Sequence, residues 1–129
     1  MDPGKARKRS PLPVRSLNSA VFKWPNRETV LAAARAWAAA LRQRDLLVER
    51  IACVGSYARG DWGVGSDLDV IVFLTQSDLS RGERYKQYYP DDVPVPADVW
   101  VYTRAEWEVV RADWPQLARR LQQEMLDLA

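Results

Sequence analysis

Apolar residues recur along the chain with two different periods, and each change of period marks an element. Over residues 28–44, ETVLAAARAWAAALRQR puts Val30, Leu31, Ala34, Trp37, Ala38 and Leu41 on one helical face. Asn26 stands ready as N-cap and Glu28 falls in the first turn, so an amphipathic helix is predicted there. LVERIACV, residues 47–54, predicts a strand that ends at Gly55. LDVIVFL, residues 68–74, is apolar everywhere except Asp69, the pattern of a central strand with helices over both faces. VPADVWVYT, residues 95–103, alternates instead. Pro94 and Pro96 confine its beginning to an edge or to the first residues of a strand.

The polar stretches between these runs carry their own signals. Thr75 to Pro94 is too long for a plain connection. Ser80 and Glu83 have capping-box spacing and Pro90 stops the run, which predicts a short helix despite Gly82, with Tyr85, Tyr88 and Tyr89 sharing a face. Thr103 and Glu106 form a second capping box that opens a helix over RAEWEVVRAD, and Pro115 suits the first turn of a last helix. Trp114, Ala118, Leu121, Met125 and Leu128 then follow at helix-seam spacing, which predicts a helix running on to Leu128. Its seam either packs on the protein's own sheet or faces a partner. SLNSAVFKWP, residues 16–25, reads as a short edge strand or an extended lead-in. Together these elements predict an α/β (α+β) chain, with strands in a sheet that helices cover.

Charge divides the chain unevenly. The net charge is +2, but residues 1–15 hold Lys5, Arg7, Lys8, Arg9 and Arg15 against Asp2, leaving the rest slightly acidic. A basic, solvated, disordered tail over residues 1–15 is predicted, followed by a single domain over 16–129; non-specific contact with nucleic acid is the tail's alternative use. No run of eighteen apolar residues occurs and no hydrophobic stretch follows the basic start. The expectation is a cytoplasmic protein with no signal peptide and no contact with a membrane. Histidine is absent and Cys53 is the only cysteine. That removes intrachain disulfides, Cys/His zinc sites and every mechanism with an imidazole base, so acid–base or metal chemistry has to come from carboxylates.

Carboxylates do gather, in GSYARGDWGVGSDLDVIVF, residues 55–73. Gly55 and Ser56 sit where a strand gives way to a helical turn, so free backbone N–H groups and a hydroxyl point into one concavity that suits phosphate. Glycine allows close approach of a ligand to the backbone, and Arg59, one turn on, adds a charge-assisted contact. Asp67 and Asp69 would share a face of the next strand, about 6.6 Å apart at ~3.3 Å per residue. Like charges there repel unless a divalent cation lies between them, and a pair of metals about 3.5–4 Å apart would fit. The alternative is that both aspartates merely lead into the strand from solvent. Asp98 supplies a third carboxylate if its strand neighbours that of Asp69; otherwise it is an edge charge that blocks aggregation.

Gly55-Ser56, ten residues, then Asp67-x-Asp69 and an apolar strand resembles the signature of the polymerase-β-like nucleotidyltransferase superfamily. The fuller string, with Ala58-Arg59-Gly60 and with Ser66 before the first aspartate, resembles its minimal nucleotidyltransferase (MNT) branch. The resemblance spans about residues 26–107. It implies the polymerase-β-like fold, a small mixed β-sheet with helices packed against it, together with a nucleoside triphosphate substrate such as ATP and two Mg²⁺ ions. Asp67 and Asp69 would ligate both metals, and Asp98 would hold the catalytic one and help deprotonate the acceptor. Gly55 and Ser56 would cradle the triphosphate with help from Arg59 and Ser66. The implied reaction moves a nucleoside monophosphate, AMP from ATP, to a hydroxyl of a HEPN-type helical partner in a toxin–antitoxin pair. The last helix seam and the tyrosine face would then be docking surfaces. The competing readings are a non-catalytic antitoxin that occludes a HEPN ribonuclease, and a nucleic-acid modifier guided by the basic tail.

Overall fold

The protein is seen in a computed structural model that describes residues 24–129. The expected tail over 1–15 and nearly all of the lead-in over 16–25 lie outside the described residues; Trp24–Asn26 have no regular structure. In chain order the elements are α1 (Arg27–Arg44), β1 (Val48–Val54), α2 (Ser56–Arg59), β2 (Leu68–Leu74), α3 (Arg81–Tyr88), β3 (Ala97–Thr103), α4 (Arg104–Asp113), α5 (Pro115–Glu124) and β4 (Leu126–Asp127).

The first helix begins as its sequence predicts. Asn26 Oδ1 accepts the Thr29 N–H at 2.8 Å, and the apolar face of α1 is buried from Val30 to Leu41. The strands form one mixed sheet in the order β3-β2-β1-β4, with β2 parallel to β3 and antiparallel to β1. The parallel pair needs a crossover, and the long polar segment after β2 supplies it through α3.

Both faces of the sheet are covered, which is why β2 reads as almost continuously apolar. On one face Ile51, Cys53, Leu68, Val70, Val72, Leu74, Val99 and Val101 meet Val30, Ala34, Trp37 and Leu41 of α1. On the other, Val54, Ile71 and Phe73 pack on Trp107 of α4 and Ala118 of α5, the Phe73 and Trp107 rings meeting edge to face at 5.2 Å. Both capping boxes form: Ser80 Oγ accepts the Glu83 N–H at 3.2 Å, and Thr103 Oγ1 accepts the Glu106 N–H at 3.1 Å. Arg84 is buried and ties α3 to its neighbours, pairing with Glu106 Oε1 at 2.6 Å and donating to the Leu79 carbonyl at 3.1 Å.

Two expectations do not survive. The last helix stops at Glu124 rather than running to Leu128; Met125 turns to extended backbone, and Leu126–Asp127 pair antiparallel with β1 at Cys53 and Ala52. An open edge of β1 is a row of unpaired backbone groups, and pairing it outweighs extending the helix by one turn. The expected seam therefore divides. Ala118, Leu121 and Met125 pack on the α4/α5 side of the sheet, Leu128 is buried on the α1 side, and Trp114 is 64% exposed. The three tyrosines do not form one face either. Tyr88 is buried and donates to Asp45 Oδ2 at 2.6 Å, while Tyr89 lies past the helix and accepts the Ala97 N–H at 3.3 Å. Only Tyr85 is exposed, its ring 5.5 Å from that of Tyr89. Among the described residues no helix is long and apolar enough to cross a membrane.

Candidate active site

The backbone where β1 ends is shaped by one glycine. Gly55 has φ 77° and ψ −156°, a conformation that side-chain-bearing residues avoid. A Cβ there would also lie 2.3 Å from Asp69 Oδ2, because Val54 and Asp69 are partners across the β1–β2 pair. Only glycine lets the chain turn and lets the Asp69 carboxylate lie against it. The turn opens α2, whose first N–H groups have no acceptor within so short a helix. Its position is held by the start of α1 and the residues before it: Arg27 Nε donates to the Tyr57 carbonyl at 2.7 Å, and Trp24 Nε1 donates to the Tyr57 hydroxyl at 3.0 Å. The buried Tyr57 ring stacks on Trp62 at 5.6 Å.

The acidic residues arrive from two adjacent strands. Asp67 is exposed just before β2, Asp69 is half-buried within it, and Asp98 is the register partner of Asp69 across the parallel β2–β3 pair. Register partners face the same side of a sheet, so Asp98 lies on the same face as Asp69. The electrostatics agree. Burial first, then the charges of Asp98 and Asp67, push the Asp69 carboxyl above the usual carboxylate range, with Arg59 opposing. Behind it the Cys53 thiol is pushed up to about 12 by burial and then by Asp69; it is neutral and inert.

A cleft of about 560 Å³ lies over this end of the sheet. Gly55, Ser56, Arg59, Asp67 and Asp69 line one side of it, and Arg120 and Glu124 of α5 line the other. Asp98 opens instead into a neighbouring hollow of about 300 Å³ with Arg81 and Tyr85, and Trp100 and Tyr102 wall both spaces. Ser66 lines neither. Its Oγ accepts the Gly63 N–H at 2.8 Å and tightens the loop ahead of Asp67.

Sequence reasoning had no sight of Glu124 or Arg120. Glu124 Oε2 accepts the Gly55 N–H at 2.9 Å, and its Oε1 lies 3.3 Å from Arg59 Nη1. No local pattern announces this, because Gly55 and Glu124 stand 69 positions apart in sequence. Among the described residues no three acidic, cysteine or histidine side chains stand close enough to hold a metal ion unaided. An all-oxygen donor set with unrelieved repulsion nevertheless suits a hard cation. Mg²⁺ in particular is commonly held by one or two carboxylates, with substrate phosphates completing its shell.

The sequence profile of the nucleotidyltransferase domain family matches residues 35–126. No curated protein matches the sequence. Among solved structures, a candidate nucleotidyltransferase from Sulfolobus solfataricus has the same fold, with a TM-score of 0.55 and 16% identity over 78% of this chain and 80% of that one. A chain of a toxin-antitoxin structure with AMP-PNP overlaps at a TM-score of 0.47 and 18% identity, covering 81% of this chain and 73% of that one, too slight a likeness to carry an inference.

Proposed function

We propose, for a chain that belongs to the nucleotidyltransferase domain family, that it transfers a nucleoside monophosphate, AMP from ATP, to a hydroxyl group with the help of Mg²⁺. The observation that carries the reading is that Asp69, the register partner of Asp98, lies against Gly55 in a cleft that Asp67 and Arg59 also line. Family membership supports nucleotidyl transfer in general. The MNT branch and a HEPN-type protein partner rest on the sequence resemblance alone.

In this reading the triphosphate lies along the Gly55–Ser56 turn, with Arg59 and Arg120 balancing its charge from opposite sides of the cleft. Asp67 and Asp69 would hold the two metal ions, with Asp98 sharing the one nearer the acceptor. Bound there, Mg²⁺ supplies charge neutralisation for the transferred and leaving phosphates. The acceptor hydroxyl approaches from the hollow of Asp98 and Tyr85, where Asp98 takes its proton as the oxygen attacks the α-phosphorus in line and pyrophosphate leaves. Trp100, 43% exposed, walls both spaces where nucleotide and acceptor would meet. Ser66 acts by fixing the loop that presents Asp67.

The test is transfer of label from α-³²P-ATP with Mg²⁺ to proteins of a lysate from the source cells, for wild type and Asp69→Asn. A discrete labelled band that the substitution abolishes is expected. Folded protein that neither transfers label nor binds Mg-ATP would leave the non-catalytic antitoxin as the better reading.

A further inference from the structure

Glu124 stands where the proposed reaction needs room for an anion. Its two carboxylate oxygens take the Gly55 N–H and the Arg59 guanidinium, and its side chain is only 12% exposed. That arrangement adds a further negative charge to a cleft that already holds Asp67 and Asp69, and Glu124 is one of the charges that raise the Asp69 carboxyl. A carboxylate is stable in such a place only through the charge-assisted bonds it makes there. Those bonds are the ones a phosphate would make.

The position is built into the sheet. β4 pairs Leu126 with Cys53 and Asp127 with Ala52, which brings the C-terminal end of α5, where Glu124 is the last residue, alongside the end of β1 at Gly55. Beyond it the chain is secured by the Arg50–Asp127 ion pair at 2.7 Å and by the Leu128 N–H bond to the Ile51 carbonyl at 2.8 Å. The backbone of Glu124 is thus held on both sides, by α5 and by β4, while its side chain can rotate out of the cleft without breaking either.

We propose that Glu124 is an internal occupant of the phosphate cradle, displaced when a triphosphate binds, so that this residue sets how strongly charged a ligand must be to enter. The proposal rests on the reading that Gly55 and Arg59 receive phosphate. A carboxylate brings a single charge to the cradle. A triphosphate brings several and, with a cation at the aspartates, outcompetes it; a ligand with one phosphate gains less and is disfavoured. Glu124 is therefore a specificity residue for triphosphate over simpler phosphates and keeps the cradle shaped while no nucleotide is present.

Calorimetric titration of the full chain with Mg-ATP, with inorganic triphosphate and with inorganic phosphate tests this on wild type, Glu124→Gln and Glu124→Ala. Glu124→Ala is expected to bind Mg-ATP at least about ten-fold more tightly than wild type, since the two charge-assisted bonds of Glu124 no longer have to be broken. Glu124→Gln keeps the size and an acceptor for Gly55 but no charge; it should gain less and still exceed wild type, which serves if the alanine variant folds poorly. The gain should be larger for metal-free triphosphate than for Mg-ATP, and discrimination against inorganic phosphate should shrink. Equal or weaker affinity in folded Glu124→Gln overturns the proposal while leaving nucleotide binding intact. If wild type and both variants bind neither Mg-ATP nor inorganic triphosphate, the proposal falls together with the proposed function.

Discussion

The two faces of β2 come from the same seven residues and meet opposite fates. Leu68, Val70, Val72 and Leu74 are fully buried in the hydrophobic cluster that α1 covers. Asp69, Ile71 and Phe73 point the other way, and α4 and α5 cover only the Phe73 end, leaving Asp69 at the floor of a cleft. One face gains its stability from area removed from water. The other gives some up by keeping repelling carboxylates together, a pattern expected where binding a ligand, not folding, is the purpose.

The same contrast separates two carboxylates. Glu106 is bonded to the buried Arg84, which holds its carboxyl below the usual range. Asp69 faces burial and other acids, which raise it. An acid that holds the scaffold and an acid that waits for a cation are displaced in opposite directions.

The sharpest way to break the comparison is to neutralise the open face. Asp67→Asn and Asp69→Asn are each expected to reduce nucleotidyl transfer by about 10²–10³-fold or more, with the circular dichroism spectrum unchanged. On the dry face Leu41→Ala should cost about 2–5 kcal/mol in urea denaturation, through lost burial and the cavity left behind, while the folded fraction keeps its nucleotide affinity. Gly55→Ala joins the two faces, because positive φ and the collision with Asp69 act together. A loss of about 1–3 kcal/mol and of transfer is expected from that one methyl group.

Arg84→Met should cost about 1–3 kcal/mol by leaving Glu106 and two backbone carbonyls without their donor. Its pH dependence carries the diagnosis. With Glu106 lowered in the folded state, its pair contributes stability above the unfolded carboxyl pKa and loses it as pH falls through the folded value. Melting temperatures of wild type should therefore drop toward acid more than those of Arg84→Met. Asp69 has the opposite sign: raised in the folded state, it makes the free protein less stable as pH rises from its unfolded to its folded pKa. Asp69→Asn should stabilise the nucleotide-free protein at neutral pH, by no more than about 1 kcal/mol because the group is partly solvated. The advantage should vanish in acid, where wild-type Asp69 is itself protonated.

Much of this molecule is legible residue by residue. The buried face of α1, both capping boxes and the apolar run of β2 follow from periods and caps, and the small mixed sheet from the motif resemblance. The meeting of Asp98 with Asp69 follows once an alternating strand is given a parallel neighbour. Each of these depends on residues a few positions apart or on a period that repeats within one element, and such interactions are written locally in the chain.

What only the tertiary structure decided involves distant partners competing with a local preference. Met125 to Leu128 carry helical spacing, but the open edge of β1 offers backbone hydrogen bonds that one more helical turn would not replace. Tyr88 turns inward because Asp45 lies behind it, while Tyr85, three positions earlier, stays exposed. Glu124 reaches Gly55 across 69 positions of sequence because β4 pairs with β1. No spacing rule contains that contact, since its cause is the sheet that both residues border.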